Sequence, residues 1–439
     1  MTRPAVRALL FLTAAIFLTA CETSVFDPEE QSIPGERIPI LLLDQQLKPD
    51  VEEVAIRLPR PQANPAWPQA GGYPNHAMHH LVMSASPKEV WSAGVGSGAD
   101  AESRLISQPV VAGNRVYVAD VDGRITAIEV ESGERLWRTD LTPEDEDDVT
   151  FSGGIAYAYG YLFISTGFAE VVVLNAESGE TVWRRAMPSP MRAAPTISDG
   201  RLFVTTFDNQ LFVLDVRNGE TLWKHKGFEE SAGILGGASP AVEGDIVVVP
   251  YSSGELFAIL TNNGRIMWSY SLASSRRSDV ISSIADIRGQ PVIDRGWVFA
   301  VSHSGRVVAL NMRSGERIWE KELGGIQTPW VAGDYIYLLT TNNELLCLTR
   351  EKGEILWVLQ LPLYQNPIEK EEPIVWHGPV LASDRLLLAG SHGRVLAVSP
   401  YRGDVIGQIT LDDGVSVPPV VAQGTMYLLT TDADLIAFR

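Results

Sequence analysis

The 439-residue sequence contains only two cysteines, Cys21 and Cys347, and it is short of positive charge. Because Cys21 lies in what looks like a processing signal, the mature fold cannot contain a disulfide framework or a cysteine-based metal cage. Lys and Arg total 35 against 54 Asp and Glu, so the formal net charge is −19. A body with this charge repels nucleic-acid phosphates and anionic lipid headgroups. We therefore expect no nucleic-acid partner.

The N-terminal apolar run is too short to cross a bilayer as a helix. Arg3 and Arg7 precede residues 8–20, and these 13 residues match the hydrophobic region of a signal peptide in length. The run ends in Leu-Thr-Ala-Cys21, which resembles a bacterial lipobox. The sequence therefore predicts a lipoprotein signal peptide over residues 1–20 and acylation, with palmitate as one chain, at Cys21. An ordinary signal peptide with a chance cysteine is the alternative.

Residues 21–66 are rich in Pro, Glu and Gln and show little periodicity, which is typical of a tether. The lipobox resemblance implies that acyl chains hold this tether at a membrane surface. Glu22 follows the cysteine, where an aspartate marks retention at the inner membrane in lipoprotein sorting, so the outer membrane is favoured. The apolar stretch 38–43 is either a strand that docks on the main body or a partner-binding motif.

Beyond the tether the sequence repeats a unit of four short strands, A to D, separated by Gly, Asp and Asn turns. In every copy a turn glycine stands four residues before a tryptophan, or before Gly407 in one copy. The turn glycines are Gly133, Gly179, Gly219, Gly264, Gly315, Gly353 and Gly403. Strand A begins 24 residues before each of these glycines. Because a short turn needs the positive φ that glycine adopts freely, this spacing predicts an antiparallel meander of constant length.

The two ends of the repeat complete each other. After Pro419 the chain supplies strands A, B and C and no D strand, while a lone D-like strand, Glu89-Val90-Trp91, precedes the first complete unit. We therefore predict an all-β, eight-bladed β-propeller over residues 67–439, with four-stranded antiparallel blades and the N-terminal strand completing the last blade. The D-strand tryptophans are expected to wedge between blades; stacking on a cofactor is the less favoured alternative.

All variation in repeat length falls in the D-to-A connections, which share one face with the B-to-C turns. Ile234 and Leu235 lie in one of these connections, and Asp286 and Arg288 in another. An apolar centre beside a charged loop predicts a protein-contact patch on this face. The alternative is that the loops fold over the axial channel. The acidic run 144–148 is interpreted as a solvated cluster, because its spacing does not match a calcium loop.

The blade motif, as in Gly133-Glu-Arg-Leu-Trp137, is similar to the repeats of pyrroloquinoline quinone (PQQ) dehydrogenase-like propellers. With the lipobox and the length, the chain resembles the BamB family of outer-membrane protein assembly lipoproteins. The resemblance implies a non-catalytic scaffold on the periplasmic face of the outer membrane, without a cofactor. It also implies binding to a BamA-like barrel subunit, with nascent outer-membrane proteins as further candidates. Ile234, Leu235, Asp286 and Arg288 are the positions that the resemblance assigns to that contact.

A PQQ-dependent dehydrogenase is the main alternative, and a sugar- or peptide-binding propeller is another. Such dehydrogenases add a vicinal cysteine pair, a Ca²⁺ site and a catalytic aspartate to similar blades. With Cys347 the only cysteine in the predicted propeller, the vicinal pair is impossible. His76, His79 and His80 could bind a metal, but a turn or packing role is favoured. We assign no catalytic residue.

Overall fold

The structure is a computed structural model that describes residues 47–51, 54–100, 103–144, 153–191, 193–230, 234, 236–273 and 285–439. The chain divides into two units, Met1–Leu47 and Lys48–Arg439, and the strands of the described residues lie in the second. The predicted signal peptide, Cys21, the 38–43 stretch, Leu235 and most of the acidic run lie outside the described residues. Across the described ranges, no helix has the length and apolarity that a membrane span requires.

The described residues form eight four-stranded antiparallel sheets and one separate hairpin. The first strand along the chain is β1 (Glu89–Gly94). Blade 1 contains β2 (Val110–Ala112), β3 (Arg115–Ala119), β4 (Arg124–Glu129) and β5 (Arg135–Asp140). Blade 2 contains β6 (Gly154–Ala158), β7 (Tyr161–Ser165), β8 (Glu170–Asn175) and β9 (Thr181–Ala186). Blade 3 contains β10 (Thr196–Ser198), β11 (Arg201–Thr205), β12 (Gln210–Asp215) and β13 (Thr221–Lys226). Blade 4 contains β14 (Ala241–Glu243), β15 (Ile246–Pro250), β16 (Glu255–Leu260) and β17 (Ile266–Ser271).

The second half of the chain repeats the same order. Blade 5 contains β18 (Val292–Asp294), β19 (Trp297–Ser302), β20 (Arg306–Asn311) and β21 (Arg317–Lys321). Blade 6 contains β22 (Trp330–Ala332), β23 (Tyr335–Leu339), β24 (Glu344–Thr349) and β25 (Ile355–Gln360), and the hairpin β26 (Tyr364–Asn366) and β27 (Glu371–Pro373) comes after it. Blade 7 contains β28 (Trp376–Ala382), β29 (Arg385–Gly390), β30 (Arg394–Val398) and β31 (Val405–Thr410). Blade 8 contains β32 (Val420–Ala422), β33 (Thr425–Leu429) and β34 (Asp434–Phe438).

The predicted eight-bladed propeller and its closure are confirmed. Strand β1 pairs antiparallel with β34, and Trp91 lies opposite Ala437. Lys88 and Arg439 exchange two backbone hydrogen bonds of 2.9 Å beside this pair. Blade 8 is therefore built from both ends of the propeller sequence, so the ring has no open seam of unpaired strand edges.

The tryptophans lie between blades, as predicted. Each D-strand indole covers the turn glycine of the following blade; a Cβ at Gly315, for example, would lie 2.5 Å from Cγ of Trp268. Six of these indole N–H groups donate to carbonyls of that next blade, as from Trp268 to Met312 at 2.8 Å. The turn position thus requires glycine for two reasons, because the residue there must take a positive φ and must also leave room for the ring of the preceding blade.

Residues ahead of β1 form a ring of their own around the propeller axis. The A strands surround this axis, since those of consecutive blades from blade 1 to blade 7 contact one another. The N-terminal segment meets the blades in the order 8, 1, 2, 3, 4, 5, 6, 7. Its contacts are Asn64 O with Gln423 N, Trp67 N with Val111 O, Pro68 O with Tyr157 N, Gln69 Oε1 with Ile197 N, Pro74 O with Val242 N, Asn75 O with Ile293 N, His79 O with Trp330 Nε1, and Leu81 N with Leu381 O, all between 2.6 and 3.1 Å.

The segment predicted as a tether therefore includes residues that pack on the propeller. Asp50 exchanges hydrogen bonds of 2.8 Å with the backbone of Ile355 on β25, and Ile56 is buried. His76 and His80 also contribute packing contacts: their Nδ1 atoms lie 2.7 Å from the carbonyls of Pro291 and Pro59. These contacts reach different parts of the molecule, so the histidines do not converge on one point.

Candidate functional site

The two loops predicted to contact a partner are fastened to each other. The backbone N–H of Ile234, between blades 3 and 4, donates to Oδ2 of Asp286, between blades 4 and 5, at 2.9 Å. The Asp286 carbonyl in turn accepts from the backbone N–H of His303 in blade 5 at 2.9 Å. Asp286 is only 5% exposed. Its observed contact is thus the attachment of one loop to the next.

Burial has the largest effect on the pKa values of the two charged side chains at this attachment, Asp286 and Arg288. It raises the pKa of the Asp286 carboxyl, and the Ile234 N–H and the Arg288 charge offset only part of that rise. Burial likewise lowers the pKa of the Arg288 guanidinium, which the charge of Asp286 partly counteracts. Arg288 lies against Gly236, where a Cβ would be 2.8 Å from Nη2 of the arginine and the backbone has a φ of +93°. Glycine at 236 is therefore favoured by its positive φ.

Two phenylalanines that the sequence analysis did not single out lie near the position of Ile234, Phe207 in the same groove and Phe228 next to that groove. Phe207 is 43% exposed and Phe228 is 72% exposed. Phe207 and Ile234 line the same groove together with Asn209, and the Asn209 side-chain amide donates to the Phe228 carbonyl at 2.6 Å. We call Phe207, Phe228 and Ile234 the aromatic patch. Exposed apolar groups gathered in this way are typical of protein-contact sites.

Comparison of the blades offered a signal for Phe207. It stands in a B-to-C turn, three residues before strand C begins. The equivalent residues of the other seven blades are Val121, Gly167, Ser252, His303, Thr341, Ser391 and Thr431. Phe207 is the largest apolar side chain at this position, and it is 43% exposed. A large exposed apolar side chain that the equivalent turns do not carry is a candidate for binding.

The rim of the aromatic patch is mostly acidic. Glu229 and Glu230 are exposed, directly after Phe228, and the Lys226 amino group lies 3.2 Å from Oε2 of Glu229. Asp208, next to Phe207, accepts a hydrogen bond from Thr206 at 2.6 Å. A partner surface with basic side chains around an apolar centre would match this arrangement.

The same loops also reach inward to an axial cavity. Gly236, Gly237 and Arg288 line this cavity together with His76 and His377, so the predicted alternative of loops folding over the channel is also observed in part. Burial lowers the pKa of His76 to about 4 and that of His377 to about 3. Both imidazoles are therefore neutral near neutral pH.

The cavity walls do not fit the Ca²⁺ that a PQQ enzyme of the predicted alternative requires. None of the residues that line the cavity is an aspartate or glutamate, and carboxylate oxygens are the ligands that Ca²⁺ prefers. Within the described ranges, no three His, Cys, Asp or Glu side chains are placed to hold a metal ion. Cys347 is free and buried in β24, where burial raises the pKa of its thiol.

Known proteins share this sequence pattern along most of its length. The sequence profile described as "Outer membrane protein assembly factor BamB" matches residues 80–148 and 122–359. Proteins of that name from Salmonella typhimurium and Escherichia coli K12 are 33% and 32% identical to this chain over 358 and 356 residues, covering 80% of this chain and 88% of each relative.

Solved structures show the same architecture. The crystal structure of BamB from Moraxella catarrhalis matches with a TM-score of 0.69 at 20% identity, over 81% of this chain and 100% of that one. A europium-containing methanol dehydrogenase matches with a TM-score of 0.66 at 13% identity, over 83% of this chain and 89% of that one. At these identities the structural likeness shows the fold alone.

Proposed function

Because the chain belongs to the family of outer membrane protein assembly factor BamB, we propose that it is a non-catalytic scaffold lipoprotein of the β-barrel assembly machinery. In this proposal it is held at the periplasmic face of the outer membrane by acyl chains on Cys21. It binds a BamA-like barrel subunit and so aids the insertion of outer-membrane proteins. The names of the relatives support the assembly role, and the aromatic patch supplies a surface for the contact.

The observation that carries the proposal is the aromatic patch and its attachment. Phe207 and Phe228 present rings to solvent, while a hydrogen bond from its backbone N–H to Asp286 holds Ile234 in place. Aromatic residues at the centre of a contact commonly carry most of its binding energy. A residue that is already held in place loses less conformational entropy on binding. The patch thus combines two large exposed rings with one apolar residue, Ile234, whose backbone N–H is already hydrogen-bonded.

The charge of the chain is compatible with a lipid anchor. A formal net charge of −19 works against adsorption of the protein body to anionic headgroups. Acyl chains contribute about 0.8 kcal/mol per buried CH₂ group, so two or more chains suffice for stable anchoring. The anchor, rather than the protein surface, would then set the distance from the membrane and leave the loop face free for the barrel subunit.

Replacing Phe228 by serine should reduce recovery of the barrel subunit about 30-fold, since loss of a central aromatic anchor typically costs about 2 kcal/mol of binding energy. The measurement is co-purification from detergent-solubilised membranes through a C-terminal tag on the full chain. Thermal unfolding should change little, because Phe228 is largely exposed.

The matched control for Phe228→Ser is Leu222→Ser. Leu222 lies in the same blade, on the outer strand β13, and is 49% exposed. It should leave recovery at the wild-type level. Equal losses in both variants would show that the aromatic patch is not the contact. Failure of the wild-type protein to recover any barrel subunit would contradict the proposed function itself.

Two substitutions of Asp286 distinguish positioning from direct contact. Asp286→Ala removes the acceptor for the Ile234 N–H and should weaken retention of the barrel subunit about tenfold, since an unsatisfied buried donor costs about 1–3 kcal/mol. Asp286→Asn keeps a side-chain oxygen in the same place and should retain binding. Because burial raises the pKa of this carboxyl, the ionised form opposes folding, so the asparagine variant should unfold at the same or a higher temperature at neutral pH.

Biosensor titrations with purified barrel subunit, run beside thermal melts of each Asp286 variant, provide the measurement. If the asparagine variant loses as much binding as the alanine variant, the negative charge itself contacts the partner. If the alanine variant binds normally, the attachment between the two loops plays no part in recognition.

A further inference from the structure

One of the eight interfaces between blades is built differently from the rest. At seven of them, a D-strand tryptophan covers the turn glycine of the following blade. The pairs are Trp91 with Gly133, Trp137 with Gly179, Trp183 with Gly219, Trp223 with Gly264, Trp268 with Gly315, Trp319 with Gly353 and Trp357 with Gly403. Between blades 7 and 8 the equivalent D-strand residue is Gly407, so no indole occupies that position.

The strand register shows that Gly407 is the true equivalent of those tryptophans. In blade 6, Trp357 lies opposite Cys347, which lies opposite Tyr337, and the rings of Trp357 and Tyr337 are 6.0 Å apart. In blade 7 the residues at the same positions are Gly407, which lies opposite Ala397, and Leu387, which lies opposite Ala397 on the other side. Both of these aromatic rings are therefore replaced by smaller groups in blade 7, without any shift in the pairing.

A cavity of about 330 Å³ lies at this interface; we call it the seam pocket. Its walls come from blade 7, from blade 8 and from the chain segment that leads into β1. The lining includes Met83, Leu387, Leu396, Gly407 and Met426, and no lining residue is acidic. Met83, Leu396 and Met426 are buried, so the walls are largely apolar and already in place.

One cationic side chain lies at the seam pocket, and its donors are engaged. Arg385 donates through Nη2 to the Ala85 carbonyl and through Nη1 to the Ser84 carbonyl, the latter at 3.5 Å. These bonds join blade 7 to the segment ahead of β1. The two hydrogen bonds hold the segment ahead of β1 in place beside the seam pocket, and they leave the pocket open.

A space of this size and polarity suits an aromatic ring. A dry apolar cavity of ~150 Å³ is enough to bind benzene in another protein, and thioether sulfurs such as those of Met83 and Met426 make favourable contacts with rings. We propose that the seam pocket binds the aromatic side chain of a partner polypeptide. We choose an aromatic side chain as the ligand because of the seven equivalent interfaces. In each of them the same space holds an indole that is attached to an extended backbone. The site is distinct from the aromatic patch and does not depend on the proposed function.

The test uses the full chain and N-acetyl-L-tryptophanamide as the probe, with N-acetyl-L-leucinamide as the matched aliphatic probe. Saturation-transfer NMR should detect binding of the tryptophan probe to the wild-type protein. Gly407→Trp should weaken it by about tenfold or more, because the new ring would fill the space. A Cβ at Gly407 would meet only the Ala397 Cβ, at 3.8 Å, so the backbone can carry the side chain. The variant should also unfold at a higher temperature.

Trp319→Gly supplies a positive control, because it creates an equivalent space between blades 5 and 6 that should also bind the tryptophan probe. Equal binding by wild type and Gly407→Trp would overturn the proposal, as would equal binding of the leucine probe. Binding of free indole without binding of the tryptophan probe would overturn the assignment to a polypeptide. Should Gly407→Trp fail to fold, Gly407→Leu is expected to block the same space.

Discussion

Replacing Arg350 by methionine is expected to lower the free energy of unfolding by about 3–5 kcal/mol, because it leaves a buried carboxylate without its nearest cationic partner. Asp294 of blade 5 and Arg350 of blade 6 have side chains that are 7% and 8% exposed. The arginine donates through Nη1 to the Asp294 carboxylate and through Nη2 to the Asp294 carbonyl at 2.6 Å. Its guanidinium also lies 5.3 Å from the Trp297 ring and 5.2 Å from the Phe299 ring.

Urea denaturation, followed by far-ultraviolet circular dichroism, measures this effect. The surface control is Arg402→Met, whose guanidinium pairs with Asp404 at 3.0 Å while 75% exposed; little change is expected there. Arg295 Nε also lies 3.8 Å from Asp294 Oδ2; it is unchanged in every variant, so the difference from wild type measures the loss of Arg350. Equal midpoints for Arg350→Met and Arg402→Met would contradict a structural role for the buried pair.

Asp294→Asn in the Arg350→Met background distinguishes two causes of that loss. If Arg350→Met lowers the free energy of unfolding because the Asp294 carboxylate loses its nearest cation, neutralising that carboxylate should recover part of the lost stability. If the effect comes instead from lost packing against Trp297 and Phe299, the double variant should be no more stable than Arg350→Met alone. The pair of measurements therefore separates a charge effect from a packing effect at one interface.

The blade architecture was predictable from sequence because its determinants are local. A turn that needs a positive φ selects glycine at a fixed distance from the strand that follows it, and Gly133 through Gly403 show this spacing. The lone strand at Trp91 could be assigned to the last blade because the C-terminal blade lacked one strand, which is an inference from counting. Both the glycine spacing and the strand count can be read from the sequence without any knowledge of side-chain contacts.

Other features could not be predicted because their partners are far apart in sequence or leave no pattern. Arg350 and Asp294 are 56 residues apart, and each resembles any charged residue near a turn. The N-terminal ring is held mainly by backbone hydrogen bonds such as that between Asn75 and Ile293, which select no side chain. The sequence analysis grouped Ile234 with Asp286, but it did not indicate that the Asp286 carboxylate is buried and accepts from the Ile234 N–H.

Replacing one of the tryptophans that lie between blades by alanine should destabilise the protein about as much as Arg350→Met does. Trp268→Ala is expected to lower the free energy of unfolding by about 3–5 kcal/mol, because the indole is only 8% exposed and its N–H donates to the Met312 carbonyl at 2.8 Å. Trp268→Phe keeps a ring in the interface and removes that donor. It should therefore cost less than the alanine variant, in urea denaturation under identical conditions.

Two glycine variants test whether the indole and the turn act as one unit. Gly315→Ala places a Cβ 2.5 Å from the Trp268 ring at a φ of +71°, whereas Gly113→Ala has a φ of +59° and no neighbouring atom within 4 Å. Both share the conformational cost of a positive φ, so any excess destabilisation at 315 measures the collision with the ring. That excess should disappear when Gly315→Ala is combined with Trp268→Ala, because the ring is gone. Strict additivity in this double-mutant cycle would mean that the turn alone requires the glycine at position 315, and that the tryptophan of the preceding blade does not.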